Sequence, residues 1–394
     1  MFHKMPLILM AIILAIVCLG QYIPIEAKTA LYAASLSIKS VIITALPFVI
    51  FGLLFKVASQ LAHNATKVIL CILAMVCCSN FISTFISHYV GIWIYHFDLQ
   101  VLQPQNFVEL QPLWSWQIPK LIANDKAMMA GLILGTFVSY FYPAFAARLA
   151  HFFEKNINKA LQGFIYLIPL FVAGFVIKLH YDGAIGIILH DYSIIFAIIL
   201  IAQLGYLLLV YFLSSNLHFL RFINSIRNMT PAAIAGFSTM SSATAMPLTI
   251  LGAEKNASNP DLARSIIPAT VNIHLVGDCF AIPILAYAVL KSYGLAEPAF
   301  LEYLIFAAYF VLAKFSVAAV PGGGILVMLP ILESYLGFNS EMLSLITALY
   351  ILFDPVITFA NVLGNGALAL VIDKLPFRFI RNNPENQPSL GQSY

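Results

Sequence analysis

Charge is what this chain has least of. Only 9% of its 394 residues are Asp, Glu, Lys or Arg, against roughly 25% in soluble domains. That shortage excludes an ordinary soluble enzyme. A net charge of +3, spread over loops, gives no basic face for nucleic acid. Cysteine is sparse as well: Cys18, Cys71, Cys77, Cys78 and Cys279 all lie in apolar stretches without a CxxC pair. No metal or redox centre is therefore expected, and the thiols read as small buried hydrophobes. No hydrophilic block or linker marks off a soluble domain. What is abundant is apolar surface. Hydrophobic residues make up 61% of the chain, and runs of about 20 recur, the length that crosses a bilayer. The expected class is an all-α polytopic membrane protein. Residues 1–21 have a basic start and an apolar body but no cleavage site, so they read as the first membrane helix.

Hydropathy predicts full spans near 6–24, 36–59, 66–97, 126–144, 158–180 and 189–215. Residues 224–252 and 300–336 differ. Each holds two short apolar stretches parted by a small, polar tip, at Gly236–Pro247 and at Ala318–Gly324. A half-hairpin of about 14 residues reaches about 21 Å, less than the roughly 30 Å hydrocarbon core. Each pair is thus expected to be a re-entrant hairpin. Between them, 263–291 forms a span carrying Asn272, His274, Gly277 and Asp278, with a break near Gly277, and 342–374 forms a last span interrupted at Asn361–Gly366. The count is eight transmembrane helices plus two re-entrant helical hairpins. Irregular backbone at membrane depth persists only when buried in protein or lining a cavity. Two broken segments at related positions point to a transporter's binding site.

Charge placement gives an orientation. With both termini cytoplasmic, thirteen of the 20 Lys and Arg residues fall on the inner side, among them Lys56, Arg148, Arg221, Arg264 and Arg381. The outer ends hold Lys28, Lys39, Lys120, Lys126, Lys178 and Lys291, and Lys314 lies within a hairpin. This satisfies the positive-inside rule and predicts a multi-pass plasma (inner) membrane protein. Residues 98–125, with Trp114 and Trp116, read as an outer loop, and 382–394 as a disordered tail.

From Gly236 onward the chain resembles the dicarboxylate/amino acid:cation symporter family, the glutamate-transporter fold. The resemblance rests on four motifs in order: the serine-rich tip Ser238–Pro247, Ala269–His274, Val320-Pro321-Gly322-Gly323-Gly324, and Asp354-Pro355-Val356-Ile357-Thr358 running on to Asn361-Val362-Leu363-Gly364-Asn365. Leu46-Pro47-Phe48 is a fainter echo in the second span. The resemblance implies a homotrimer working by an elevator mechanism. Residues 1–215 would be mainly scaffold with part of the transport core, 216–376 the mobile core, and 377–394 a cytoplasmic tail.

The tips expose backbone N–H groups at half-helix N-termini, which favour an anionic group. Ser241, Ser242 and Ala243 with Gly323 and Gly324 would bind a substrate carboxylate; close helix packing is the plainer explanation of small residues. Asp354, a carboxylate deep in a span, is functional by default. The resemblance places it at the substrate's amino group, beside Thr358 and Asn361. Departures from the family pattern also matter. The Arg that grips an acidic side chain is replaced by Ile357 and Met240, which favours a neutral substrate. The family's sodium-ligating aspartates become His274 and Asn365, poor ligands for a hard cation, and Lys314 falls at a third sodium site. A bare ammonium there would repel sodium by about 4 kcal/mol at about 4 Å and a dielectric of about 20.

His274 and Asp278, four residues apart, are expected to share a helix face and to supply proton coupling; an ordinary packing role for His274 is the alternative. His88, His96, His180 and His190 read as interfacial. The leading expectation is a secondary active symporter of an amino acid or small carboxylate with no cofactor beyond a proton or sodium. The alternatives are sodium coupling through Thr270, Asn272, Asn361 and Asn365, an intramembrane acyltransferase using His274 and Asp278, or an anion channel.

Overall fold

The computed structural model describes residues 5–64, 67–97, 110–116, 118–119, 122, 124–183, 185–317 and 322–374. These form helices α1 (Met5–Leu19), α2 (Ile25–Asn64), α3 (Lys67–Ile94), α4 (Asn124–Phe141), α5 (Pro143–Tyr181), α6 (Ile185–Ser214) and α7 (Phe219–Thr239). The series continues with α8 (Ser242–Asn256), α9 (Pro260–Thr270), α10 (Val276–Ser292), α11 (Phe300–Lys314), α12 (Gly323–Leu336) and α13 (Ser340–Asp373). There is no strand among the described residues. Four of their stretches are long and apolar enough to cross a bilayer alone: Ile25–Ser59, Leu70–Ile94, His190–Ser214 and Ser340–Asp373. The 377–394 tail, Val320 and Pro321 lie outside the described residues.

The helices sort into two bundles, and the sorting does not follow chain order. In the first, α2 packs along α4 and α5, and α1 lies on α5. In the second, α10 is wrapped by α3, α6 and α13, while α13 also takes α7, α8 and α9. Nearly every residue of α10 is buried, which is how a helix apolar on all sides is accommodated. α7 and α8 fold back on each other around Met240, and α11 and α12 form a second such pair.

Boundaries moved where proline and packing decide them. The expected spans at 126–144 and 158–180 become α4 and the 39-residue α5. They part at Tyr142, because Pro143 has no N–H to continue α4 but suits a first helical position. The last span is not interrupted at 361–366. α13 runs unbroken through Gly364 and Gly366 because close packing and side-chain hydrogen bonds outweigh glycine's low helix propensity. Of the expected outer loop, the described residues 110–116, 118–119 and 122 are irregular, and several are bonded to α2. Leu113 N donates to Thr29 O, Trp114 Nε1 to Ser37 Oγ and Ile118 N to Ser40 Oγ, while Thr44 Oγ1 donates to Ile118 O. An extended segment therefore follows α2 for four turns ahead of α4.

Two burial expectations are corrected. Cys279 alone is fully buried; Cys18 and Cys78 are exposed, since the outer face of a membrane helix is itself apolar. His88 is not interfacial: it is buried, bonded through Nδ1 to Tyr287 Oη at 2.6 Å and stacked on Tyr303.

Candidate functional site

One face of α13 organises the site. Asp354, Thr358, Asn361 and Asn365 follow helical spacing, so they project in one direction, and all four are buried. Both helix–turn–helix tips meet this face. At the first, a methyl group on Gly236 would lie 2.8 Å from Val362 and 3.4 Å from Thr358. At the second, Gly322 N donates to Asp354 Oδ2 at 2.8 Å. Thr358 Oγ1 donates to Asp354 Oδ1 at 3.1 Å, joining the two approaches.

The tips are built differently. α7 ends as Met240 turns left-handed (φ 52°) and its N–H returns to Gly236 O. Ser241 is the N-cap of α8, its Oγ accepting from Thr244 N at 3.3 Å and Thr244 Oγ1 at 3.1 Å. Ser242 is buried in the first turn and Ala243 is exposed. At the second tip Gly322 has φ 71°, a conformation open to glycine without strain. Gly323 and Gly324 begin α12 and are buried.

Beneath Gly324 lies a charged cluster. Lys314 Nζ is fully buried, 3.3 Å from Asp278 Oδ2 and 4.4 Å from the centre of the Phe310 ring. The contact is an ion pair with no directed hydrogen bond. Tyr350 Oη donates to Asp278 Oδ1 at 2.6 Å. A side chain at Gly324 would strike Tyr350 Oη and come within 2.8 Å of Asp278, so only glycine lets α12 sit here. The expected bare ammonium is thus corrected. Asp278 balances Lys314, so the figure for a lone positive charge does not apply.

The break between α9 and α10 falls at 271–275, not near Gly277. Gly277 lies inside α10, where its N–H and that of Asp278 donate to Asn361 Oδ1 at 2.8 and 3.4 Å. Asn361 thereby caps α10 from outside. His274 sits in the break and Asp278 in the helix, so they do not share a helix face. His274 Nε2 meets Ser79 Oγ at 2.8 Å, and its Nδ1 has no partner. Asn272 is exposed. Both Asn365 Nδ2 protons are used, donating to His274 O at 3.2 Å and Asn361 O at 2.9 Å, and Oδ1 lies 3.0 Å from Thr270 Oγ1, which also reaches Ile266 O. Ile357 is fully buried with its carbonyl against Gly277.

Sequence reasoning missed Ser79, Asn80 and Tyr350. Asn80 Nδ2 donates to Ile273 O at 2.7 Å and Asn80 Oδ1 accepts from Leu275 N at 3.2 Å, so α3 satisfies both sides of the break. An amide within an apolar span was the available signal. Tyr350 carried none, being one of 18 tyrosines.

A buried polar helix face flanked by two helix starts and a broken helix, in a chain this apolar, defines a membrane transport protein. The chain belongs to the sodium:dicarboxylate symporter family, which it matches over residues 4–375. A stretch of 156 residues is 28% identical to the proton/glutamate-aspartate symporter of Escherichia coli (strain K12), covering 40% of this chain and 35% of that relative's length. The family is one of transporters, and the intramembrane-enzyme alternative has no support.

Proposed function

We propose that the protein is a secondary active symporter of an amino acid or small carboxylate. The solute binds between the two tips on the Asp354–Asn361 face of α13. The observation that carries this is the convergence of both tips on the bonded pair Asp354–Thr358. Two helix N-termini suit a carboxylate there, and Asp354 suits an ammonium. In the conformation described, Gly322 N–H and Thr358 hold the Asp354 carboxylate; the solute's ammonium would join them. With Ile357 and Met240 where an arginine would grip an acid, the solute's side chain is neutral.

Coupling is to protons, with sodium unnecessary. The amide of Asn365 already bonds the carbonyls of His274 and Asn361, and Lys314 already neutralises Asp278. Oxygens that would ligand a cation are met by the chain's own donors. The relative named above couples to protons, in agreement with this reading. It carries glutamate and aspartate, which favours a second reading in which the side chain is acidic. The full arrangement is eight spans with two re-entrant hairpins, both termini cytoplasmic, in a plasma-membrane homotrimer that moves the second bundle against the first.

The test is uptake by proteoliposomes from a mixed pool of neutral amino acids, glutamate, aspartate and dicarboxylates. Uptake should persist when choline replaces sodium and rise with an inward proton gradient. Ile357→Arg should shift selectivity toward aspartate and glutamate by supplying a fork-shaped donor. Uptake that stops without sodium and ignores pH would overturn the coupling argument. Wild-type uptake confined to acidic solutes would favour the second reading.

A further inference from the structure

The seam between the two bundles is apolar and incompletely filled. A half-open groove with room of about 60 Å³ lies along it, with Ile13 and Val176 on one side and Leu345 and Leu349 on the other. A smaller one of about 10 Å³, room for about one water, lies between Ile42 and Phe171 of the first bundle and Leu326 and Leu329 of the second. An apolar joint with few directed bonds imposes little register.

Against that background Lys39 stands out. It projects from α2 into the smaller cavity and is only 6% exposed. Its Nζ donates to Ser340 O, to Ser340 Oγ at 2.6 Å and to Ser344 Oγ at 3.0 Å. All three acceptors belong to the first turns of α13, across the seam. Lys178 of α5 reaches the same turn, 3.9 Å from Glu341. By contrast, Lys56 on α2 pairs with Glu154 of α5 inside the first bundle.

We propose that Lys39 is a positioning residue, a pin that fixes the second bundle at the register seen here. It must be withdrawn whenever the bundles shift. A buried ammonium keeps its place only while its donors are satisfied, and hydrogen bonds to a charged donor are the strong ones. The pin therefore sets how often the bundles leave this register without touching the solute. This inference rests on the transport reading only for its purpose, and its test requires no solute.

Leu329→Cys, in full-length protein with the five native cysteines replaced and embedded in lipid nanodiscs, places a thiol in the small cavity. N-ethylmaleimide should label it slowly. Adding Lys39→Met keeps the apolar stem, removes the donors and should raise the labelling rate about tenfold, roughly the weight of one charge-assisted hydrogen bond. Ser344→Ala should give a smaller rise in the same direction, and Lys39→Arg little change. Lys56→Met breaks a pair within one bundle and should leave labelling unchanged. Equal labelling of Leu329→Cys with and without Lys39→Met would overturn the proposal, as would an equal rise with Lys56→Met. Faster labelling in protein that moves neither amino acids nor small carboxylates would keep the pin and remove the transport reading.

Discussion

The two tips solve one problem, starting a short helix in the middle of a protein, by opposite means. The first carries a cap from within its own sequence. Ser241 caps its own helix three residues away, and the preceding turn closes through Met240 and Gly236. The second borrows its cap from Asp354, 32 residues further along the chain. A turn stabilised within itself keeps its shape wherever its surroundings go. A turn capped by another helix is held only while that helix is in place. The start of α12 is therefore tied directly to α13, and the Lys314–Asp278–Tyr350 cluster sits beneath it.

The strongest test of that contrast is the charged cluster. Lys314→Met or Asp278→Asn alone should destabilise the protein by about 3–5 kcal/mol, because each leaves an uncompensated buried charge. The double variant should recover most of that loss. Chemical denaturation in detergent would measure it, and equal losses in single and double variants would show that the pair is not coupled. Next in size is Asp354→Asn. It weakens a charge-assisted cap by about 1.5–3 kcal/mol and should accelerate amide hydrogen exchange at 322–326 while leaving 240–246 unchanged. Binding of an amino-acid solute should be lost as well; equal exchange changes at both tips would erase the asymmetry.

Smaller effects separate the tips further. Gly322→Ala forces a side chain into left-handed backbone and should cost about 1–2 kcal/mol, felt at the second tip only. Ser241→Ala should cost about 1 kcal/mol by removing an N-cap, confined to the start of α8. Should Ser241→Ala also loosen 322–326, the first tip would not be autonomous.

Much of this plan was legible in the chain. The two tips and the polar residues of α13 follow from local pattern, and the altered cation positions from the family resemblance; Gly322 and Gly236 do reach the α13 face, whereas Ala243 and Asn272 are exposed. What was hidden depends on contacts between distant segments. Asp278 and Lys314 were both singled out, but nothing local pairs them. Asn361 read as a ligand because its partner, the start of α10, is 83 and 84 residues away. Gly364 and Gly366 signalled a break that packing removes. Lys39 read as an outer-end charge because the expected span began at 36, whereas α2 begins at Ile25 and carries Lys39 well inside the helix, facing the other bundle.

Asn80 ties two distant parts of the chain together, and that has a consequence for how the protein is made. During synthesis α3 is inserted long before Ile273 and Leu275 are translated. Until they arrive, its amide has neither of the partners it holds in the finished protein, and the break at 271–275 is equally incomplete without Asn80. Each half is costly in hydrocarbon by itself. Assembly of the second bundle thus has a late step, in which an early helix and a late one complete each other.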